Sequence, residues 1–343
     1  MLDNKVIHLV TPYLFHTGSW VYSQIKGLST FEHYVFTQRS ENLEQFPLEN
    51  IYAANDLLSV KKLINKVYRR LTDRYGLFYE AYMNKISPAL LHAHMGYEAA
   101  RWLKFVKKTN IPLITTFYGQ DVSQLGRIEK WRRRYQELFE YGTKFLAEGS
   151  YLKKQLVDLG CPAEKVIVQH LGVSVESYTP KEIDHNSVKR TILQVSTFRE
   201  KKGIEYSLEA IAMIRESRPD VIFKLIGRGD NEEADNKIKS LVKKLHLEKN
   251  VELLGAQPYK KTLEEMSKCD IFLHPSVTAS NGDNEGGAPV GLIEASALGL
   301  PVVATFHADI PEVIINNKTG LLVEERNSEA LAAKLLELLS NSA

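Results

Sequence analysis

At 343 residues the chain has room for two domains of roughly 150 to 180 residues each. Its 44% hydrophobic and 25% charged residues are those of a globular protein, and no apolar run approaches the roughly 18 residues of a membrane span. The two cysteines, Cys161 and Cys269, are far apart and lack histidine clusters, which disfavours a disulfide scaffold or a zinc module.

The net charge of +2 conceals an asymmetry. Residues 1–180 carry 23 Lys and Arg against 17 Asp and Glu, and the remainder carries 21 against 25. Basic clusters at 61–74 and at Arg132, Arg133 and Arg134 suit anionic lipid or a phosphorylated acceptor, or else form solvated helix faces. Neither is set among aromatic residues in a nucleic-acid module, so no nucleic-acid partner is expected. The opening MLDNKVIHLV is too acidic and too short in its apolar run for an export signal. A cytoplasmic location follows, with peripheral attachment to the inner face of a membrane as its extension.

In chain order, a strand is expected at 5–11, then a loop and a helix from Trp20. Short apolar runs at 33–37, 90–94, 112–117 and 144–147 read as further strands, with helical periodicity at 97–108 and 127–141. The second half repeats the alternation. Strands are expected at 191–195, 221–226, 251–254, 271–274 and 301–304, and helices at 204–215, 233–245 and 328–339. Such alternation predicts βαβ units and parallel sheets. The expected organisation is an N-terminal Rossmann-like domain over 1–180 and a second over 188–343, joined by a polar linker at about 177–187. The glycine spacing of a dinucleotide fingerprint and the Walker A sequence are both missing, which disfavours a nicotinamide enzyme and a P-loop kinase. His92 and His94 lie on one face of a strand, but no third ligand is visible in the sequence, so no metal site is expected.

The most informative segment is 284–305, NEGGAPVGLIEASALGLPVVAT. An acidic residue, Glu285, opens a Gly286-Gly287-Ala288 loop in which a ligand can approach the backbone closely. Pro289 suits a first helical turn, Val290 follows, and Glu294 lies about one turn inside. Free amides feeding a helix N-terminus favour an anion, and the nearby carboxylate can accept from ligand hydroxyls. Phosphate and diol recognition side by side are what a nucleotide-sugar requires.

This segment resembles the donor-site signature of glycosyltransferase family four, retaining enzymes of the GT-B fold. In that family two Glu usually have seven residues between them; here eight separate Glu285 from Glu294, the extra one placed most simply in the glycine loop. Residues 196–203, STFREKKG, resemble the family's strand-end motif, a Gly-Arg pair followed after a short gap by Lys-Gly. Lys202 matches its Lys, Thr197 occupies the Arg position, and Arg199 is the displaced substitute. Gly227-Arg228 resembles the turn beside the nucleotide, and Ala256-Gln257 the loop that meets the base. In the first half, the loop containing Thr17, Gly18 and Ser19 resembles an acceptor or phosphate contact, with Gln24 matched beyond it. Residues 116–121 resemble Thr-x-His-Gly-x-Asp, with Tyr118 in the His position and Asp121 matched.

The resemblance implies an α/β protein with two Rossmann-like domains facing each other across a cleft. It implies a hexosyltransferase-type enzyme moving a sugar from a nucleotide diphosphate to an acceptor hydroxyl with retention, in cell-surface polysaccharide or glycolipid synthesis. Lys202, Arg199 and Glu285 are the expected catalytic residues. Glu294, Gly286, Gly287, Ala288, Pro289, Val290, Thr197, Gly227, Arg228, Ala256 and Gln257 are expected at the donor. Thr17, Gly18, Ser19, His94, Tyr118 and Asp121 are expected at a saccharide or lipid-linked saccharide acceptor, with an anionic membrane as a further partner. No cofactor or metal is expected. Family members commonly continue past the last helix, so the end at Ala343 implies an abbreviated crossover or a truncated chain. The alternatives are a nucleotide-sugar epimerase of similar fold and a non-catalytic nucleotide-sugar-binding relative; a periplasmic solute-binding protein is disfavoured by the missing export signal.

Overall fold

The structure, a computed structural model, describes residues 4–15, 18–180 and 190–340. Contacts divide the chain into two units, Met1–Leu171 and Gly172–Ala343. Residues 181–189, within and beyond the expected linker, lie outside the described residues.

The first unit is built on seven strands: β1 (Lys5–Leu9), β2 (Glu32–Thr37), β3 (Ile51–Ala53), β4 (Leu90–His94), β5 (Leu113–Phe117), β6 (Lys144–Ala147) and β7 (Val166–Val168). They form one parallel sheet in the order β3-β2-β1-β4-β5-β6-β7. The second unit carries β8 (Arg190–Val195), β9 (Val221–Ile226), β10 (Val251–Gly255), β11 (Ile271–His274), β12 (Val302–Thr305) and β13 (Leu321–Val323), ordered β10-β9-β8-β11-β12-β13 and also parallel. Both orders reverse direction beside the first strand, and ligands of such sheets bind beyond the carboxyl ends of the strands at that point.

Alternation decides the two faces of the first sheet. Ile7, Leu9, Leu91 and Ala93 join an apolar core with Trp102 and Phe117. The neighbouring positions His8, His92 and His94 project to the other face. That face also carries Val35 and is covered by the Ser19–Gly27 helix through Val21 and Ile25. In the second unit the strands are nearly continuous apolar runs, as burial on both faces requires.

Strands β4, β6, β9 and β11 have the expected bounds, and most others differ by a residue or two at an end. The 5–11 strand stops at Leu9. The helix after the glycine loop begins at Val290, with Pro289 as its cap, so Pro289 stands one position outside the first turn assigned to it. Strands β3, β7 and β13 were not anticipated; each has three residues, too few for a period to show.

Candidate active site

Two glycines bring the strand ends of the second unit together. Gly203 has φ of 61°, and a Cβ there would lie 1.9 Å from the Pro275 carbonyl oxygen. Gly227 has φ of 141°, and a Cβ there would lie 1.8 Å from the Ser196 carbonyl oxygen. No side chain fits either approach, so residues 196–203 lie directly against the ends of β9 and β11. The Gly227 amide also donates to the Gly255 carbonyl at 2.9 Å, which adds the end of β10 to the group.

At this convergence Lys202 Nζ donates to both oxygens of Glu285, at 2.7 and 2.8 Å. Ser276 Oγ donates to Glu285 Oε1 at 2.7 Å, and His274 Nε2 lies 3.5 Å from the same oxygen. Burial alone would raise the Glu285 carboxyl, but the Lys202 and Lys201 ammonium groups hold it well below the usual carboxylate range. Burial lowers the Lys202 ammonium, with Glu285 opposing. The pair is therefore ionised in a desolvated pocket, where a fixed charge acts on its neighbours far more strongly than in water.

The acidic loop is held from two further sides. Buried Lys201 donates to Asp283 Oδ1 at 3.2 Å and to the Asn284 carbonyl at 2.9 Å. From the end of β12, His307 Nε2 accepts the Glu285 backbone amide at 3.1 Å. Its proton must then be on Nδ1, which donates to Glu325 Oε1 at 2.6 Å. The only sequence signal for His307 was its place just past a strand.

Glu294 sits on the Val290–Ala297 helix with Oε1 accepting from Tyr259 at 2.7 Å and from Tyr178 at 3.3 Å. Burial raises its carboxyl, and the two tyrosine hydroxyls oppose the shift. Gly286, Gly287 and Ala288 are buried in the loop before the helix, and the Gly286 amide donates to Asn284 Oδ1 at 3.0 Å. Pro289 and Val290 follow at the helix start.

Other expected donor residues are placed differently. Arg199 forms a bidentate pair with Asp230, at 2.8 and 3.2 Å, and is not brought to Lys202. Thr197 accepts the Arg199 amide at 2.8 Å, while Phe198 donates to the Arg228 carbonyl. The Arg228 side chain is exposed. Ala256 is exposed, and Gln257 turns its amide onto the Leu254 carbonyl.

In the first unit Thr17 lies outside the described residues, and Gly18 and Ser19 begin the Ser19–Gly27 helix. Asp121 is committed to backbone: Oδ2 accepts from Gly96 at 2.8 Å and Oδ1 from Tyr118 at 3.1 Å. It thereby clamps the loops after β4 and β5, and its burial pushes the carboxyl up to about 6 against those donors.

His94 belongs to a buried row. Its Nδ1 meets the Tyr118 hydroxyl at 2.7 Å, and its Nε2 meets His8 Nδ1 at 3.1 Å. His8 Nε2 meets His33 Nδ1 at 3.0 Å, and His33 Nε2 ends on the Leu28 carbonyl at 2.9 Å. A carbonyl only accepts, so His33 carries its proton on Nε2. With neutral rings, His8 and His94 follow with Nε2–H, and Tyr118 donates to His94. Gln24 Nε2 in turn donates to the Tyr118 oxygen at 3.3 Å. Burial holds His8 and His94 well below the ordinary value and His92 at about 4. His8 is thus the third histidine that the sequence did not show beside His92 and His94, with one ring nitrogen of each within 4.8 Å of the others. A tetrahedral zinc with bonds of about 2.0–2.1 Å would hold such nitrogens about 3.4 Å apart. The shared proton between His8 and His94 favours a hydrogen-bonded row over an ion centre.

Two parallel Rossmann-like units, with an ionised Lys–Glu pair and a helix-borne carboxylate at one switch point, define a GT-B type of protein. The family model for glycosyl transferases group 1 matches residues 177–343, and that for glycosyltransferase family 4 matches residues 19–177. The chain belongs to this glycosyltransferase family. It is 35% identical over 252 residues to the amylovoran biosynthesis glycosyltransferase AmsK of Erwinia amylovora, covering 73% of this chain and 61% of that protein. It is 34% identical over 223 residues to the putative colanic acid biosynthesis glycosyltransferase WcaL of Escherichia coli K12, covering 65% and 54%. The match thus spans little more than half the length of these relatives. Among solved structures, Anabaena Alr3699/HepE in complex with UDP and glucose matches with a TM-score of 0.79 at 17% identity, over 98% of this chain and 90% of that one. That likeness concerns the fold.

Proposed function

We propose that this chain is a retaining glycosyltransferase that moves a sugar from a nucleotide diphosphate to an acceptor hydroxyl in polysaccharide synthesis. The observation that carries this is the ionised Lys202–Glu285 pair, with Glu294 on the helix that follows the Glu285 loop, at the strand ends where a doubly wound sheet binds nucleotides. The names of the relatives AmsK and WcaL, both polysaccharide biosynthesis glycosyltransferases, support the same chemistry.

In this proposal Glu294 keeps Oε2 for the ribose hydroxyls while Oε1 serves the tyrosines. An ammonium has three donors; Lys202 uses two on Glu285 and offers the third to the leaving diphosphate. Charge building on that phosphate is stabilised there, usually the largest catalytic contribution available. Glu285 and the Gly286–Ala288 loop orient the donor sugar, and the departing phosphate itself takes the acceptor proton. The mechanism needs no metal, because lysine and amides neutralise the phosphates. Gly18, Ser19 and Tyr118 in the first unit face the acceptor, a saccharide or lipid-linked saccharide presented at an anionic membrane.

The test is calorimetric titration with UDP, GDP and ADP, followed by a release assay with the matching nucleotide-sugars and a lipid-linked saccharide. Binding of one nucleoside diphosphate together with acceptor-dependent release is the expected result. Interconversion of two sugars without acceptor would replace the proposal by an epimerase.

A further inference from the structure

The Ser59–Thr72 helix is built inside out. Its buried residue is Asn65, which donates to Gln38 Oε1 at 3.0 Å, and Arg69 lies half-buried with its guanidinium 5.1 Å from the Tyr75 ring centre. Val60, Leu63, Ile64, Val67 and Leu71 point the other way and are 48–79% exposed. At 100° per residue these five fall within a single sector of about 100°, the width of a core-facing stripe on an ordinary helix. Leu58, just before the first turn, is 77% exposed and extends the apolar surface. At 1.5 Å per residue the stripe runs about 20 Å from Leu58 to Leu71. A contiguous apolar surface of this kind marks an interaction site.

Charge decides what covers it. Lys66 and Arg70 border one edge of the stripe and Lys61 the other, and the segment 59–72 contains no Asp or Glu. A second copy docked face to face would bring these cations together without a single carboxylate on either helix to offset them. An anionic bilayer accepts both features, with aliphatic side chains entering between headgroups while long basic side chains snorkel to phosphates. We infer that the outward face of the Ser59–Thr72 helix inserts into the headgroup region of an anionic membrane. The inference names the device behind the membrane part of the proposed function, and it stands independently of whether the second unit transfers sugar. It also moves the contact away from the arginine cluster. Arg133 pairs with Glu129 at 2.7 Å, and Arg134 is largely buried against Asp73 at 2.9 Å.

Flotation with vesicles of neutral lipid, and of neutral lipid mixed with phosphatidylglycerol, tests this with the whole chain. The parent is expected to float with the anionic vesicles only. The triple variant Leu63→Ser, Val67→Ser, Leu71→Ser keeps every charge and changes only exposed residues; its bound fraction should fall at least tenfold with an unchanged circular-dichroism spectrum. As a second readout, Ile64→Cys carrying an environment-sensitive fluorophore should shift to the blue on addition of anionic vesicles. A parent that does not float overturns the inference. So does a triple variant that floats like the parent, which would leave surface charge alone. A fluorophore shifted before any vesicle is added, with elution as a dimer, overturns it in favour of a second copy. Calorimetry with UDP, GDP and ADP on the same preparations separates the two readings, because absence of binding to all three with vesicle binding intact would remove only the transferase proposal.

Discussion

A buried carboxylate can hold a substrate or hold its own protein, and Glu294 does the second already through Tyr259 and Tyr178. Glu294→Gln is expected to weaken nucleoside diphosphate binding by roughly 1 to 3 kcal/mol, the range for a charge-assisted hydrogen bond. Isothermal titration checks it, and equal affinity in mutant and parent would take Glu294 out of the site. Lys202→Ala should cost turnover far more than acceptor affinity, whereas Arg199→Ala should cost little, because Arg199 is spent on Asp230. Steady-state kinetics on both variants decides; a larger loss in Arg199→Ala would reverse the assignment. These residues were legible in sequence because the motifs fix their order along the chain. The residues that hold them were not. Tyr178 and Glu294 are 116 positions apart, and their contact exists only once the second sheet has formed.

The sheets were legible where a strand had four or more residues of mainly apolar character, and β3, β7 and β13, at three residues each, fell below that length. The Ser59–Thr72 helix was visible only as a basic cluster, because its apolar residues face outward and Asn65 and Arg69 face inward, the reverse of the usual rule. The glycines at the strand ends could be suspected from sequence, but not what they touch. Gly203→Ala would place a Cβ 1.9 Å from the Pro275 carbonyl at a positive φ. The expected outcome is a destabilisation of more than about 1 kcal/mol together with weakened nucleotide binding, as residues 196–203 move off the end of β11. Thermal denaturation and calorimetry on the same variant test this. Unchanged values in both would show that the close approach is not needed.

Across the whole molecule, titration works in opposing directions. Burial lowers His8, His92 and His94, so their neutral forms stabilise the fold fully above about pH 6.5, and that contribution is lost as pH falls toward and below 4. Glu98 runs the other way. Burial pushes its carboxyl up to about 7, and Arg101 at 3.6 Å only partly opposes this. Its stabilisation is complete below about pH 4.3 and is lost as pH rises through 7. Removing the ionisation with Glu98→Gln should therefore raise stability at pH 8 relative to pH 5 by about 3 kcal/mol at most, compared with the parent. Denaturation curves at the two pH values measure it, and parallel behaviour of parent and variant would show that Glu98 stays charged.

The imidazole row has an electrical consequence. With one proton on each ring, no single hydrogen bond in it can reverse unless all of them reverse together, and the Leu28 carbonyl fixes which way they point. The row is one dipole, assembled from four strands and loops, with its electron-rich end at the Tyr118 oxygen. Aligned hydrogen bonds polarise one another, so that oxygen is a better acceptor than an isolated phenol. His33→Phe, at the far end, would release the alignment without touching Tyr118. Imidazole nitrogen resonances of His8 and His94 would then report a mixture of tautomers where the parent shows one.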